Sequence, residues 1–282
     1  MRNIALFILI LFSTNLSAQI FSGKVTNSKT NEVLPYANVG VRGTSIGGIA
    51  DESGNFKIDI SKATSNDKIV VSYLGFEPMI YLVNELKTNQ IYEVKLNPKS
   101  VELKEVLVYN KRVPIILGNN KKSSNHTGWG HNTSDIGRAR GAMLNPADLP
   151  VKAEEFVIHI HENTFDSVKF RLNIMIPGEN GEPSTSFINE NIFFTTSVKN
   201  GWVRVDLKPY NLVISEKLIV AVEWVDASGR ERTEKEGSHL LTISTSKKEG
   251  YFYQRETPEE STKLEMSNRT PSMYFVCYGI GK

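Results

Sequence analysis

The chain has 282 residues, a formal net charge of +2 and a hydrophobic content of 40%. This near-neutral balance is not that of a protein that binds nucleic acid or another polyanion. The single cysteine, Cys277, cannot form an internal disulfide, so stability is expected from packed cores rather than from covalent cross-links.

The first eighteen residues are typical of a secretory signal peptide. Arg2 precedes an apolar run over residues 4–12, and a small, polar stretch ends at Ala18. The apolar run is shorter than the roughly 20 residues that a membrane-spanning helix needs. We expect cleavage after Ala18 and a mature protein that is periplasmic, associated with the outer membrane or secreted. No transmembrane segment is expected after the cleavage point.

Residues 19–97 are predicted to form a first all-β domain of about seven strands. Short alternating runs are separated by turn residues at intervals of roughly ten residues, which is typical of a β-sandwich. The clearest turn is Asp51–Gly54, where the aspartate can accept main-chain N–H groups and the glycine tolerates a positive φ. The alternation of Phe56, Ile58 and the polar residues beside them indicates a strand with one buried face.

Several motifs of this domain occur in an order that resembles the carboxypeptidase-like regulatory domain. They are Gly23–Val25, Leu34–Val39, Gly43–Thr44, Gly48–Asp51, Gly54–Phe56 and Ser72–Phe76. The resemblance implies a prealbumin-like β-sandwich common in exported Bacteroidetes proteins. The residues that carry it are interpreted as fold residues, and they imply no catalytic chemistry.

Residues 98–127 are interpreted as a connector. The segment 103–108 resembles the short strand that follows this domain in TonB-dependent outer-membrane receptors, where a plug and a large barrel come next. The sequence after residue 108 is too short for both, so we do not expect a receptor, although a supporting role beside such a receptor stays open. The stretch 119–125 is polar and is expected to be a mobile linker.

Residues 128–282 are predicted to form a second β-sandwich with a jelly-roll-like arrangement. Its clearest strand is 168–176, in which Val168, Phe170 and alternate residues after them are apolar. Lys169, Arg171 and Asn173 alternate with them, which predicts a solvent-exposed face and an antiparallel sheet.

His159 and His161 are the candidates for metal chemistry. On a strand the two imidazoles share a face about 6.5–7 Å apart, so they could bind one metal ion together with a third ligand. Such a site would indicate a metal-dependent hydrolase. The alternative is that both side chains lie on the solvent face of a strand, with Glu162 alternating away from them and no metal bound.

Four aromatic residues are candidates for a ligand-binding surface: Trp129, Trp202, Tyr251 and Tyr253. Aromatic rings on a β-sandwich can bind sugars through their faces, which would make the second domain a glycan-binding module. The alternative is that aromatic rings of this domain pack inward, as the apolar run around Trp224 indicates for that residue and as a loop that enters the domain would allow for Trp129.

The sequence therefore predicts an all-β, non-enzymatic, exported protein of the cell envelope that serves binding or assembly. No catalytic residue, cofactor or metal site is predicted, and His159 and His161 are only weak metal candidates. The expected partner is an envelope protein or a glycan, and nucleic acid is not expected. Glycan binding and metal-dependent hydrolysis are the alternatives.

Overall fold

A computed structural model describes residues 19–87, 90–99, 113–130, 135–145, 150–229, 241–259 and 263–280. Over these residues the protein is all-β, as predicted, and 3₁₀ turns with described bounds lie at Val83–Glu85 and Lys208–Tyr210. The predicted signal peptide, residues 1–18, lies outside the described residues.

The first domain contains seven strands, which is the number predicted. They are β1 (Ile20–Asn27), β2 (Asn38–Val41), β3 (Gly47–Ile49), β4 (Asn55–Asp59), β5 (Lys68–Ser72), β6 (Met79–Leu82) and β7 (Ile91–Leu96). They form two sheets with the orders β4-β1-β7 and β3-β2-β5-β6. The β1–β7 pair is parallel and the other pairs are antiparallel.

The core of the first domain lies between these two sheets, and the side-chain alternation explains it. In β4, Phe56 and Ile58 are buried, whereas the residues that alternate with them are exposed. The Phe21 ring lies 5.0 Å from those of both Phe56 and Tyr92. Such apolar contacts account for the burial that stabilises this sandwich.

The second domain contains the remaining described strands. They are β8 (Pro114–Gly118), β9 (His126–Gly130), β10 (Ala139–Leu144), β11 (Val151–Asn163), β12 (Ser167–Pro177), β13 (Pro183–Ser186), β14 (Ile192–Thr196), β15 (Gly201–Asp206), β16 (Leu212–Ile214), β17 (Leu218–Ser228), β18 (Leu241–Arg255), β19 (Lys263–Pro271) and β20 (Met273–Gly279).

The long strand β18 joins two layers of this sandwich. Its first part pairs with β9 and β11, and its last part pairs with β10 and β19. The pairing with β9 and β11 ends at Ser244 and that with β19 begins at Thr245, and an irregularity between Lys247 and Gly250 interrupts the β18–β19 ladder, as expected of a bulge that bends a strand. The domain contains more strands than the eight of a simple jelly roll, because β18 is shared and β12 and β11 each bind extra short strands.

Part of the predicted connector belongs to the second sandwich. β8 pairs with β20, and β9 pairs with β18. Between them, the buried Asn119 side chain donates to the Thr270 carbonyl at 2.9 Å and accepts from the Ser246 hydroxyl at 2.9 Å. The interpretation of 119–125 as a mobile linker is therefore corrected, since hydrogen bonds hold this stretch against the sheet. The domain boundaries themselves stay a prediction.

Candidate functional site

The outward face of β12 contacts the first domain. The alternation of Lys169, Arg171 and Asn173 predicts a solvent-exposed face, but the Arg171 side chain is buried. The arginine lies under the first domain and donates to the Tyr36 carbonyl at 2.9 Å and to the Asn38 side-chain oxygen at 2.5 Å. The prediction of a solvent-exposed face is wrong at Arg171, because the first domain covers it.

Arg171 belongs to a buried ionic cluster. Its guanidinium binds both oxygens of Glu223, each at 2.9 Å, and Arg255 lies 2.9 Å from the same carboxylate. Asn173 donates a further hydrogen bond at 2.9 Å. Burial alone would raise the pKa of Glu223, which is 0% exposed, but the two arginines and the hydrogen bonds lower the pKa to about 2. Glu223 is therefore ionised over the physiological range.

Tyr36 completes the contact between the two domains. Its hydroxyl donates to Asp226 at 3.0 Å and accepts from Lys169 at 2.9 Å, and Lys169 also contacts Glu52. Tyr36 has a φ of 60°, an uncommon value for a residue other than glycine. The motif Leu34–Val39, interpreted from the sequence as a set of fold residues, thus also supplies the side chains that hold the second domain.

A groove, here called the edge groove, runs along one side of the first sandwich. It has a volume of about 840 Å³, and its walls are β3 and β4, the edge strands of the two sheets. Ile136 and Asp226 of the second domain also line it. It is therefore the place where the two domains and two strand edges meet.

The main-chain groups of the groove are directed by the strand register. The main-chain N–H of Ala50 donates to the Ala37 carbonyl, and the N–H of Val41 donates to the Ile46 carbonyl. In an antiparallel pair the bonded residues alternate along the strand, so the N–H and C=O groups of Gly47 and Ile49 point away from β2. The edge of β3 thus offers unpaired donors and acceptors within the described chain.

The edge of β4 follows the same rule. The main-chain N–H of Ile60 donates to the Gln19 carbonyl, and the N–H of Val25 donates to the Gly54 carbonyl. Because bonded residues alternate along the strand, the main-chain groups of Lys57 and Asp59 point away from β1. This edge groove was not predicted from the sequence. Its signal was the Gly47–Gly48 pair in a short apolar run before the Asp51–Gly54 turn.

A second cavity, here called the C-terminal cavity, lies at one end of the second sandwich and has a volume of about 330 Å³. Residues of β8, β10, β18 and β20 line it, Tyr251 among them. Of the four aromatic residues predicted to bind a ligand, Tyr251 lines this cavity and the other three do not.

The four aromatic candidates do not form one surface. Trp129 is 0% exposed and its indole donates to the Val222 carbonyl at 3.0 Å, while Tyr253 is 1% exposed in a small apolar cluster. These two residues cannot present a ring face to a sugar, so their assignment to a ligand surface is corrected. Trp202 is half-buried against His159, and Tyr251 is 39% exposed.

The two candidate histidines have different surroundings. His159 is buried, its Nδ1 lies 2.9 Å from the Ser244 hydroxyl, and its Nε2 has no hydrogen-bond partner among the residues that the structure describes. His161 stacks on His126 with ring centres 4.4 Å apart. The expectation of two solvent-facing imidazoles is therefore wrong for His159, because Trp202 and Ser244 cover it. Burial, reinforced by neighbouring positive charge, lowers the pKa of both imidazoles.

No group of three or more His, Cys, Asp or Glu side chains suited to a metal ion occurs among the described residues. The same residues contain no helix that is long and apolar enough to span a membrane. Cys277 is buried, and burial raises the pKa of its thiol to about 12, so it behaves as a small apolar side chain.

A sequence signal for the ionic cluster was available. Glu223 interrupts the apolar run Leu218–Val225, and a carboxylate at such a position must be paired if it is buried. Its partners Arg171 and Arg255 could not be chosen from the sequence, because the pairing depends on which strands become neighbours.

No curated protein matches the chain. Among solved structures, the chain is similar to the cysteine protease and lectin-like domains of Cwp84, a surface layer associated protein of Clostridium difficile. The identity is 11% and the TM-score is 0.34, and the match covers 90% of this chain and 62% of that chain. At this identity and TM-score, the likeness says nothing about function.

Residues 21–108 match the family model of the CarboxypepD_reg-like domain. The match spans the first sandwich and continues past residue 97, where the first domain was predicted to end. The resemblance seen in the sequence is confirmed, and the N-terminal sandwich of this chain is a CarboxypepD_reg-like domain.

Proposed function

We propose that the protein is a non-enzymatic, exported binding protein of the cell envelope whose edge groove holds an extended segment of a partner polypeptide. The observation that carries this proposal is the unpaired main-chain edge of β3, which opens into a groove of about 840 Å³. An extended peptide that adds to a sheet edge satisfies such groups with its own main chain.

The composition of β3 favours this mode of binding. Proteins commonly protect an exposed edge with charged side chains or proline. β3 consists of Gly47, Gly48 and Ile49, so it carries no charge, and its two glycines leave the main chain accessible. Ile46 and Ile49 are half-buried in the groove and can contact apolar side chains of the added strand.

The charged side chains of the groove suit a peptide that carries basic residues. The carboxylates of Asp51, Glu52, Asp59 and Asp226 line it together with only two lysines, Lys57 and Lys62, so negative charge is in excess. Side chains of alternating character along an extended peptide could reach these groups while its main chain pairs with β3.

The exported and non-enzymatic parts of the proposal have separate support. Export rests on the order of charge, apolar run and small residues over residues 1–18. A mature N-terminus near Gln19, measured by mass spectrometry of the exported protein, would support it, whereas retained Met1 would contradict it. The non-enzymatic role rests on the regulatory-like first domain and on the surroundings of His159, which is buried against Ser244.

The partner is tested with a photo-cross-linking residue at position 57, introduced in the source organism. Ile49→Pro removes an N–H that points from the free edge of β3, where proline is tolerated without loss of a ladder bond. The matched control is Ile80→Pro on β6, the opposite edge of the sheet. At that position the strand register directs the N–H and C=O groups of Ile80 away from β5, so proline removes no ladder bond there either, and the Ile80 side chain is 47% exposed.

We expect one polypeptide to be cross-linked to the wild type and to the Ile80→Pro variant. The Ile49→Pro variant should not give this cross-linked product. In the purified complex, amide exchange over residues 46–50 should slow relative to the free protein. Equal cross-linking by both proline variants, or unchanged exchange over β3, would contradict strand addition. Recovery of a glycan without a polypeptide would favour the alternative in which Trp202 and Tyr251 bind sugar.

A further inference from the structure

The C-terminal cavity has the dimensions of a small ligand site. Its volume of about 330 Å³ lies at the lower end of the 300–1,000 Å³ range found for ligand pockets. It lies between β8 and β20 on one side and β10 and β18 on the other. It is separate from the edge groove and shares no residue with it.

The inner wall of the C-terminal cavity is apolar. Leu117, Ala142, Leu144 and Met273 line it and are buried in the core of the second domain. The Asn119 side chain also lines it, but its amide is already bonded to Thr270 and Ser246. The interior therefore favours hydrocarbon over a polar group.

The outer part of the wall carries positive charge. Lys217 and Lys248 line the cavity and have exposed side chains. Within the described residues neither ammonium has a carboxylate partner, although Lys248 donates to the Gly118 carbonyl. Desolvation, and then the charge of Lys121, lower the pKa of Lys248. One carboxylate, Glu249, also lines the cavity and offsets part of this charge.

Exposed apolar side chains lie beside the opening of the C-terminal cavity. Tyr251 pairs across the sheet with Met266, and both side chains are among the exposed large apolar groups of the protein. Exposed apolar side chains beside a cavity are typical of a surface that a ligand covers.

We propose that the C-terminal cavity binds a single-chain anionic amphiphile, with its hydrocarbon against Leu144 and Met273 and its carboxylate or phosphate at Lys217 and Lys248. The two lysines bind the head group as charge-assisted donors. The volume suits one medium-length chain and excludes a lipid with two long chains. This site adds a ligand that is independent of the polypeptide held in the edge groove.

The test measures calorimetric binding of four ten-carbon compounds to the full-length protein. They are decanoate, decyl phosphate, the neutral decanol and the cationic decyltrimethylammonium. We expect saturable binding of the two anions, at least tenfold weaker binding of decanol and no binding of the cation. Tighter binding of decyl phosphate than of decanoate would identify phosphate as the head group, and the reverse order would identify carboxylate.

Two double variants separate the ammonium groups from general charge. Lys217→Gln with Lys248→Gln should weaken anion binding at least tenfold and change decanol binding less than twofold. The control, Lys208→Gln with Lys247→Gln, removes the same charge from exposed lysines that do not line the cavity, and it should leave all affinities unchanged. All four positions are exposed, so the fold should be kept.

A third variant tests the apolar interior. Ala142→Leu places a larger side chain in the cavity and should weaken binding of all the alkyl compounds at least fivefold. If this variant does not fold, the lysine variants still decide the outcome. Absence of saturable decanoate and decyl phosphate binding, equal losses in both double variants, or equal binding of the cation would overturn the proposal.

Discussion

The two sandwiches differ in the kind of side chain that they bury. In the first domain, over residues 19–87 and 90–99, the buried side chains are apolar or, in the case of Tyr36, aromatic with a bonded hydroxyl. The second domain buries Arg140, Arg171, Glu223 and His159 as well as a large apolar core. The side-chain core of the first sandwich is thus apolar, whereas the core of the second also contains paired polar and charged groups.

The buried charged groups of the second domain include those that contact the first domain. The buried charges of β12 and β17 lie on the side that faces the first domain, where Arg171 reaches Tyr36 and Asn38. Truncating one partner of such a cluster leaves the others buried and uncompensated. The predictions below therefore contrast the polar contacts of the second domain with the apolar packing of the first.

Glu223→Gln should give the largest effect. The change keeps the shape of the side chain but leaves the charges of Arg171 and Arg255 without a buried carboxylate. We expect unfolding of the second domain to become easier by about 3–5 kcal/mol. Urea titration followed by tryptophan fluorescence measures it, because Trp129, Trp202 and Trp224 all lie in that domain.

The control for this charge change is Glu155→Gln, which removes an exposed ion pair with Arg204. Its cost should be at most about 1 kcal/mol, as for other surface pairs. Equal effects of the two variants would show that the Glu223 cluster contributes no more than a surface contact, and the contrast between the two sandwiches would fail.

Acid should weaken the wild type through the same residue. The pKa of Glu223 is about 2 in the folded protein, below its ordinary value of 4.5. A lowered carboxyl pKa stabilises the fold fully above 4.5, and this contribution is lost as the pH falls from 4.5 towards 2. The loss is on the order of 3 kcal/mol.

Urea titrations at pH 7, 4 and 3 should show this loss as the difference between wild type and Glu223→Gln. The gap between the two proteins is expected to narrow as the pH falls, because glutamine cannot titrate. A gap that stays constant down to pH 3 would mean that Glu223 is not held ionised by its arginine partners.

Gly54→Val tests the first domain through its backbone. Gly54 has a φ of 76°, and a Cβ there would lie 2.7 Å from Val33 and 2.8 Å from the Val25 carbonyl. At Gly178 φ is not positive, and a Cβ would lie at least 3.4 Å from its neighbours. We expect Gly54→Val to cost about 2 kcal/mol or more and Gly178→Val clearly less. Equal shifts in melting temperature would contradict the turn assignment at Asp51–Gly54.

The sequence predicted the first domain better than the second because alternation is a local property. Strand β4 and the turn before it follow directly from Asp51–Gly54 and the alternating residues after it. The face of β12 did not follow, since Arg171 looks solvent-exposed unless the covering domain is known. The edge groove and the C-terminal cavity depend on how strands from distant parts of the chain are ordered, and no local spacing specifies that order.

Asn119→Ala should give the smallest of these effects, and it tests how the second domain holds the chain between β8 and β9. The buried amide of Asn119 bonds to Thr270 and Ser246, so its loss leaves unpaired groups at a cost of about 1–3 kcal/mol. Because this contact holds only a short stretch, the expected result is local opening rather than global unfolding. Brief trypsin digestion should then cut after Lys121 or Lys122 faster in the variant than in wild type.

Asn125→Ala is the matched control, because the Asn125 side chain is exposed and the main-chain carbonyl of residue 125 can still accept from the Thr245 N–H. Rapid cutting of wild type at these lysines would restore the mobile-linker interpretation of residues 119–125, and the polar contacts of the second domain would then not extend to this segment.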